Sequence, residues 1–219
     1  MKDKIQISAE SSINKFKLKD WNECNKNGNV FLSYNFLKLL EDSKSIGDNT
    51  GWQPVYFCLK TNNKITIIVP SFIKYHSQGE FVFDHSWAQA YQSLGLKYYP
   101  KLLIASPFSP VTGKRILMTQ NANDQIKKKL FNFIKDFCKE KEISSIHINF
   151  FEEHELDFLK NEGFLIRYGE QFHFMNDNYN TFEDFLNKLS YKIRKSINKE
   201  RQSIKHQGID IEIIKNEEF

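Results

Sequence analysis

The sequence predicts an α/β fold built on a mixed sheet, and three observations carry that expectation. The apolar residues switch period along the chain, from strand-like alternation to helical spacing and back. Two strand-like runs, 54–59 and 65–72, flank Asn62-Asn63, a strong hairpin signal. A long amphipathic helix with Ile126, Leu130, Phe133, Ile134 and Phe137 on one face feeds an alternating strand over 145–150.

The elements follow in order. Segment 4–8 alternates weakly and predicts a first strand. Residues 13–25 and 34–45 read as helices, Leu37 and Leu40 giving the second an apolar side. Composition makes 46–51 a loop. After the hairpin, a strand over 80–83 leads into a short helix over 86–94 that Gly95 stops. Another strand, 101–105, is closed by Pro107 and Pro110. The amphipathic helix and its strand come next, then a helix over 152–161 before Gly163, and a second hairpin of 164–167 with 171–175. Beyond Asn178 the character changes. Thr181-Phe-Glu-Asp184 is a capping-box-like start, a strongly basic helix runs to His206, Gly208 suits a C-cap, and Ile209, Ile211 and Ile213 alternate as a strand. The order up to 176 is that of a mixed sheet and not of a Rossmann run. The expected domains are therefore 1–177 and 178–219.

Composition narrows the function classes. The 219 residues suffice for a real core, and twenty Phe with nine Tyr argue for a packed protein rather than a disordered one. A net charge of +4 does not by itself indicate a nucleic-acid binder. The three cysteines, Cys24, Cys58 and Cys138, form no CxxC pair, which removes a zinc knuckle or thioredoxin-like site and fits a reducing compartment. No secretory signal is visible behind Met1 and no apolar run is long enough to span a bilayer, so a cytoplasmic protein without a membrane span is expected.

Residues 79–118 carry the candidate chemistry. Asp84, His85 and Trp87 stand where a strand hands over to a helix, and Tyr91 lies four residues on, on Trp87's face. Tyr98, Tyr99 and Lys101 lead into the next strand. A carboxylate, an imidazole, an indole, phenols and an ammonium so close in sequence suit the wall of a polar substrate site. Each also has a structural reading: Asp84 as a cap, His85 as a surface group, the aromatics as core. The cluster is stronger evidence than its members.

The pieces Phe83-Asp-His-Ser-Trp87, Tyr98-Tyr-Pro-Lys101, Pro107-Phe-Ser-Pro-Val-Thr-Gly113, Gln171-Phe-His-Phe174 and Lys192-Ile-Arg-Lys-Ser-Ile-Asn-Lys-Glu-Arg201 resemble the FemAB-like peptidoglycan biosynthesis/recognition family, related to the GNAT acyltransferases. The resemblance covers nearly the whole chain from the first helix on. It implies paired GNAT-like domains with a cleft between them, here one complete domain and the basic helix and first strand of a second, cut off at Phe219. It implies an acyl- or aminoacyltransferase: an acyl-CoA or aminoacyl-tRNA donor, an amine acceptor such as a peptidoglycan precursor, and no metal. A cleft that needs both halves is expected to be incomplete in this chain. The sequence departs from acetyl-CoA-dependent GNAT enzymes in lacking the Gln/Arg-x-x-Gly-x-Gly/Ala loop that cradles pyrophosphate. Thr112-Gly-Lys-Arg115 is no Walker A loop, because Phe108 stands where its first glycine belongs.

On the basic helix, Ile193, Ile197 and Ile204 share a stripe, with Lys192, Lys195 and Lys199 roughly opposite and Arg194, Arg201 and Lys205 on a second edge. Glu200 falls beside the stripe and wants a partner such as a neighbouring arginine. Such a row can hold phosphates of tRNA or of a UDP-linked precursor, or be a solvated face; the resemblance favours phosphates at Lys192, Arg194 and Lys195. Glu152-Glu-His-Glu155 lacks a metal-ligand spacing. His147 with Asn149, and Gln171 with His173, share strand faces and could form a polar patch or serve structural hydrogen bonds. The candidate roles are Asp84 or His85 as base or relay, and Trp87, Tyr91, Tyr98, Tyr99, Lys101, His173 and the basic helix for substrate. The rival is a non-catalytic module binding RNA or a phosphate-bearing precursor.

Overall fold

In the computed structural model, residues 4–212 are described. The chain divides into two compact units, Met1–Ile166 and Arg167–Phe219. The first is organised by a hairpin whose strands, β2 (Trp52–Thr61) and β3 (Lys64–Lys74), are near-continuous apolar runs. Runs of that kind need cover on both faces. The turn between them places Asn62 and Asn63 at φ of 50° and 64°, left-handed values that asparagine tolerates, as a tight hairpin requires. β1 (Ile5–Glu10) pairs antiparallel with β2 on the outer side. On the other side of β3 lie β4 (Lys101–Ile104) and β5 (Leu117–Met118), both antiparallel to it and in line with one another. β6 (Ile146–Ile148) pairs parallel with β4, so the sheet is mixed.

Two cores cover the sheet. On one face Ile13, Trp21, Leu37, Tyr56, Phe72 and Leu103 pack with α1 (Leu18–Cys24) and α2 (Tyr34–Asp42). On the other, Phe57, Val69, Leu102 and Ile104 meet α4 (Asp124–Glu140) and α5 (Leu156–Asn161), chain order leaving α3 (His85–Ser93) between α2 and α4. α4 starts where Asn123 accepts from the Ile126 N–H, with Asp124 in its first turn. Its deepest residues are Leu130, Phe131, Ile134 and Cys138. The buried stripe is thus rotated from the expected one: Phe131 and Cys138 go inward, while Phe133 and Phe137 lean edge-on against Phe57.

Several expectations need correction. Residues 13–25 are a 3₁₀ turn followed by α1, because Glu41 accepts from Ile13 N–H and Ser12 Oγ and pins the chain before the helix can begin. Residues 80–83 are not a strand: Glu80 is drawn inward to a lysine, and Phe81 takes a left-handed φ of 58°. The segments 164–167 and 171–175 form no strands among the described residues, nor do 209–212; Ile213 lies outside them. β5 had no sequence signal, two residues being too short for one. In the second unit, α6 (Phe182–Lys188) opens with the expected capping box of Thr181 and Asp184 but ends at an extended Leu189. The basic stretch is a separate helix, α7 (Tyr191–His206).

Ile134 is fully buried under the sheet. Ile134→Ala is expected to cost about 2–5 kcal/mol of stability, read as a lower urea midpoint at unchanged slope; a midpoint unmoved from wild type would contradict this packing.

Candidate functional site

Lys74 closes β3 and Lys101 opens β4, and the two are cross-strand partners with no solvent exposure. Neighbouring buried ammonium groups repel and lose their hydration, so this corner holds together only with anions supplied beside them. The segment between the strands supplies two. Lys101 Nζ donates to Glu80 Oε2 at 2.9 Å, to Asp84 Oδ2 at 2.5 Å and to Ser77 Oγ at 2.9 Å. Lys74 Nζ lies 4.0 Å from Glu80 Oε1, donates to the Gln78 carbonyl at 3.2 Å, and sits 3.5 Å from the centre of the Trp52 ring. Tyr98 donates its hydroxyl to Asp84 Oδ2 at 2.7 Å, and the Tyr99 and Ser77 hydroxyls are 2.7 Å apart. Two lysines and two carboxyl groups thus form one buried set.

The electrostatics follow. Burial pushes the Asp84 carboxyl up, but hydrogen bonds from Lys101, Ser77 and Tyr98 and the charge of Lys101 outweigh it and hold Asp84 at about 2. Burial lowers Lys74 to about 7, against the pull of Glu80 and with Lys101 adding to the effect. Burial raises Glu80 although both lysines oppose it, and burial with the Asp84 hydrogen bond raises the Tyr98 phenol. On β6, burial and Lys101 lower His147 to about 4, leaving a neutral imidazole at pH 7.

The cluster expected from sequence does assemble, but its polar core is turned inward. Asp84 is 1% exposed, and as the first-turn flanking residue of α3 it makes no side-chain cap bond. The expected place in the wall of a substrate site fails for Asp84 and Lys101, because the lysine pair draws the carboxylate beneath the helix. His85, Trp87 and Tyr91 remain exposed on α3, a helix with no buried residue. Tyr91 and Tyr99 flank Tyr98 with ring centres 5.2 and 5.0 Å away, and His147 lies 6.0 Å from Tyr98 and 6.4 Å from Trp87. Over this layer opens a cavity of about 430 Å³ lined by His85, Gln89, Gln92, Lys97, Tyr98 and Tyr99 among others.

The sequence reading passed over Lys74, Ser77 and Glu80, and weighed His147 only as part of a possible polar patch with Asn149. A lysine and a glutamate at the ends of apolar runs were the available signal, but pairing across strands is invisible in one dimension. His173, Lys192, Arg194 and Lys195 belong to the second unit. There His173 is exposed with Nε2 3.3 Å from Gln171 Oε1, Arg194 reaches Asn187 at 3.5 Å, and Lys192 and Lys195 face solvent. Glu200 is met by Ser196 Oγ at 3.1 Å, not by an arginine; Arg201 instead lies over the Phe182 ring. Among the described residues no group of three or more His, Cys, Asp or Glu could hold a metal, and no helix is long and apolar enough to cross a membrane.

A central antiparallel hairpin that passes into a parallel strand pair, with helices on both faces, is the GNAT-like acyltransferase fold. The structure of aminoglycoside N-acetyltransferase AAC(6')-Iy in complex with CoA superposes with a TM-score of 0.50 at 10% identity, covering 80% of this chain and 97% of that one. A possible acetyltransferase from Clostridium difficile 630 gives 0.45 at 12% identity, with coverage of 78% and 97%. At such identities the likeness concerns the fold. The chain belongs to the FemAB-like family, described as peptidoglycan biosynthesis/recognition, which matches residues 12–219. No curated protein sequence matches it.

The buried titrations predict acid sensitivity in two stages. His147 is held at about 4, below its unfolded value of about 6.5, so the unfolded chain takes up the proton first and stability falls as pH drops through that window. Asp84, held at about 2 against an unfolded value of about 3.9, loses its contribution as pH falls from about 4 towards 2. Glu80 and Glu155, raised by burial, act in the opposite sense, so the test is the difference between variant and wild type. Between about pH 6.5 and 4 the urea midpoint should fall less in His147→Gln than in wild type; an unaltered profile in the variant would remove His147 from the first stage.

Proposed function

We propose that this protein is an N-acyltransferase of the FemAB/GNAT type that transfers an acyl or aminoacyl group to a primary amine, a peptidoglycan precursor being the acceptor class. The observation that carries this reading is the aromatic-walled cavity beside α3. It is open to solvent, lined by Tyr98 and Tyr99, whose hydroxyls are tied to Asp84 and Ser77, and rimmed by an accessible imidazole. Family membership supports the class of reaction.

Within this reading the base is His85. Asp84 is spent on Lys101 and Tyr98, and a carboxylate held at about 2 is a poor proton acceptor at pH 7. It acts as a positioning residue that fixes Tyr98 in the cavity wall. The neutral amine attacks the carbonyl carbon of an ester or thioester, the new C–N bond forms, and the C–O or C–S bond breaks. The amine proton passes to the His85 imidazole and from there to the departing oxygen or sulfur. Trp87, Tyr91, Tyr98 and Tyr99 hold the acceptor by stacking and hydrogen bonds, and most of the rate enhancement comes from that positioning.

The exposed lysines of α7 favour a second reading, a module that binds RNA or a phosphate-bearing cell-wall precursor without turnover. Its test is separate from that of the enzyme.

His85→Ala should lower kcat about 10²–10⁴-fold with unchanged circular dichroism, measured by mass-detected transfer from labelled donors to candidate amines; equal rates would take His85 out of the reaction. Replacing Lys192, Arg194 and Lys195 together by Ala should weaken binding of a phosphate-bearing ligand and lower its log–log salt slope by about 2–3. Unaltered affinity would give α7 a structural role.

A further inference from the structure

Parallel neighbours that part leave free N–H and C=O groups on both lips of the gap, and such lips are a docking edge for an extended, amide-bearing ligand. In this sheet the last ladder bond between β4 and β6 runs from Asn149 N to the Ile104 carbonyl at 3.0 Å. Beyond it the chain leaves the ladder at Ala105 and rejoins β3 only at Leu117. A gap between β5 and the segment after β6 therefore offers the place where the amide-bearing arm of CoA would lie along strand edges.

Where the gap begins, backbone groups on both lips are already spent. On the β5 side, the N–H groups of Arg115 and Ile116 donate to the Glu155 carboxylate at 2.8–3.1 Å. On the β6 side, the Asn149 carbonyl accepts from Arg115 Nε at 2.7 Å and the Phe150 carbonyl from Gly113 N at 3.0 Å. The rest of the guanidinium closes the returning loop on itself, donating to the carbonyls of Val111 and Lys114. Arg115 and Glu155 are 1% and 4% exposed. The loop runs close to the Asn29 side chain, whose Nδ2 would stand 2.0 Å from a Cβ on Gly113. The cavity left beside this clasp, lined by Lys114, Thr119, Gln120, Lys127 and His154 among others, is about 160 Å³. Sites for ligands of drug size run to about 300–1,000 Å³, and CoA is larger than most.

We infer that the Arg115–Glu155 clasp seals the gap between the parting strands, so that this domain takes no acyl-CoA between them. Displacing the clasp would leave an arginine and a glutamate buried without partners, a cost that the amide contacts of a pantetheine arm do not offset. Under the acyltransferase reading, on which only this consequence rests, the donor presents its acyl group at the α3 cavity with its carrier outside the sheet.

The test is amide hydrogen exchange on the full chain with and without millimolar acetyl-CoA, alongside calorimetric titration of the same ligand. The Arg115 and Ile116 amides should exchange as slowly as those of β2 and β3, with no change on adding acetyl-CoA and no binding heat that maps to 113–118 or 149–155. Acetyl-CoA that alters exchange in those segments would overturn the inference, whether or not the protein is active. Glu155→Ala should speed exchange at Arg115 and Ile116 at least tenfold, and wild-type rates in that folded variant would equally overturn it. If the variant does not fold, the wild-type titration decides alone. Failure to find transfer from any donor, with the amides protected and acetyl-CoA ignored, would count against the proposed reaction and leave the clasp standing.

Discussion

Two lysines facing one another across β3 and β4 set the terms for this half of the molecule. Neither Lys74 nor Lys101 can reach water, so the chain between them must return carboxylates to the same spot. That requirement shapes the segment from Lys74 to Lys101. It pulls Glu80 inward, turns Asp84 under the start of α3, and ties Ser77 and Tyr98 to the same centre. α3 is then held mainly from its ends. A helix with no buried side chain persists because the residues before and after it are anchored in a charge set that would cost several kcal/mol to break.

The same anchoring gives the α3 cavity its chemical character. Its floor is rigid, because the tyrosines that form it are hydrogen-bonded to groups that cannot move independently. Its rim is mobile chemistry, with His85, Gln89 and Lys97 in solvent. The proposed role of orienting an amine would draw on this division between a fixed wall and a solvent-exposed edge. The Arg115–Glu155 clasp solves a related problem on the far side of β4. There a strand is interrupted and resumed, and one guanidinium and one carboxylate satisfy the Asn149 carbonyl and the Arg115 and Ile116 N–H groups at the break. Buried polar groups must find partners, and in both places the partners come from segments distant along the chain or between strands.

The regular part of the fold was legible in sequence. The Asn62-Asn63 hairpin, α2, α3, α4 and the strands around them stand close to where periodicity put them, since alternation and helical spacing are local properties. The failures share one cause. Residues 13–25 broke because Glu41, far along the chain, captures Ile13, and 80–83 left the strand conformation because Glu80 answers a buried lysine. The segments 164–167 and 171–175 have strand-like patterning, yet a strand exists only with a neighbour to pair.

For the site, the sequence by itself determined which chemical groups are close at hand: Asp84, His85, Trp87, Tyr91, Tyr98, Tyr99 and Lys101 are neighbours by chain alone. Only the tertiary structure decided which of them meet solvent. Cross-strand register placed Lys74 against Lys101 and thereby buried Asp84, turning a candidate base into a strut and leaving His85 as the accessible group. Local spacing specifies faces, but burial depends on what the opposite strand brings, and that is set by register between residues distant in sequence.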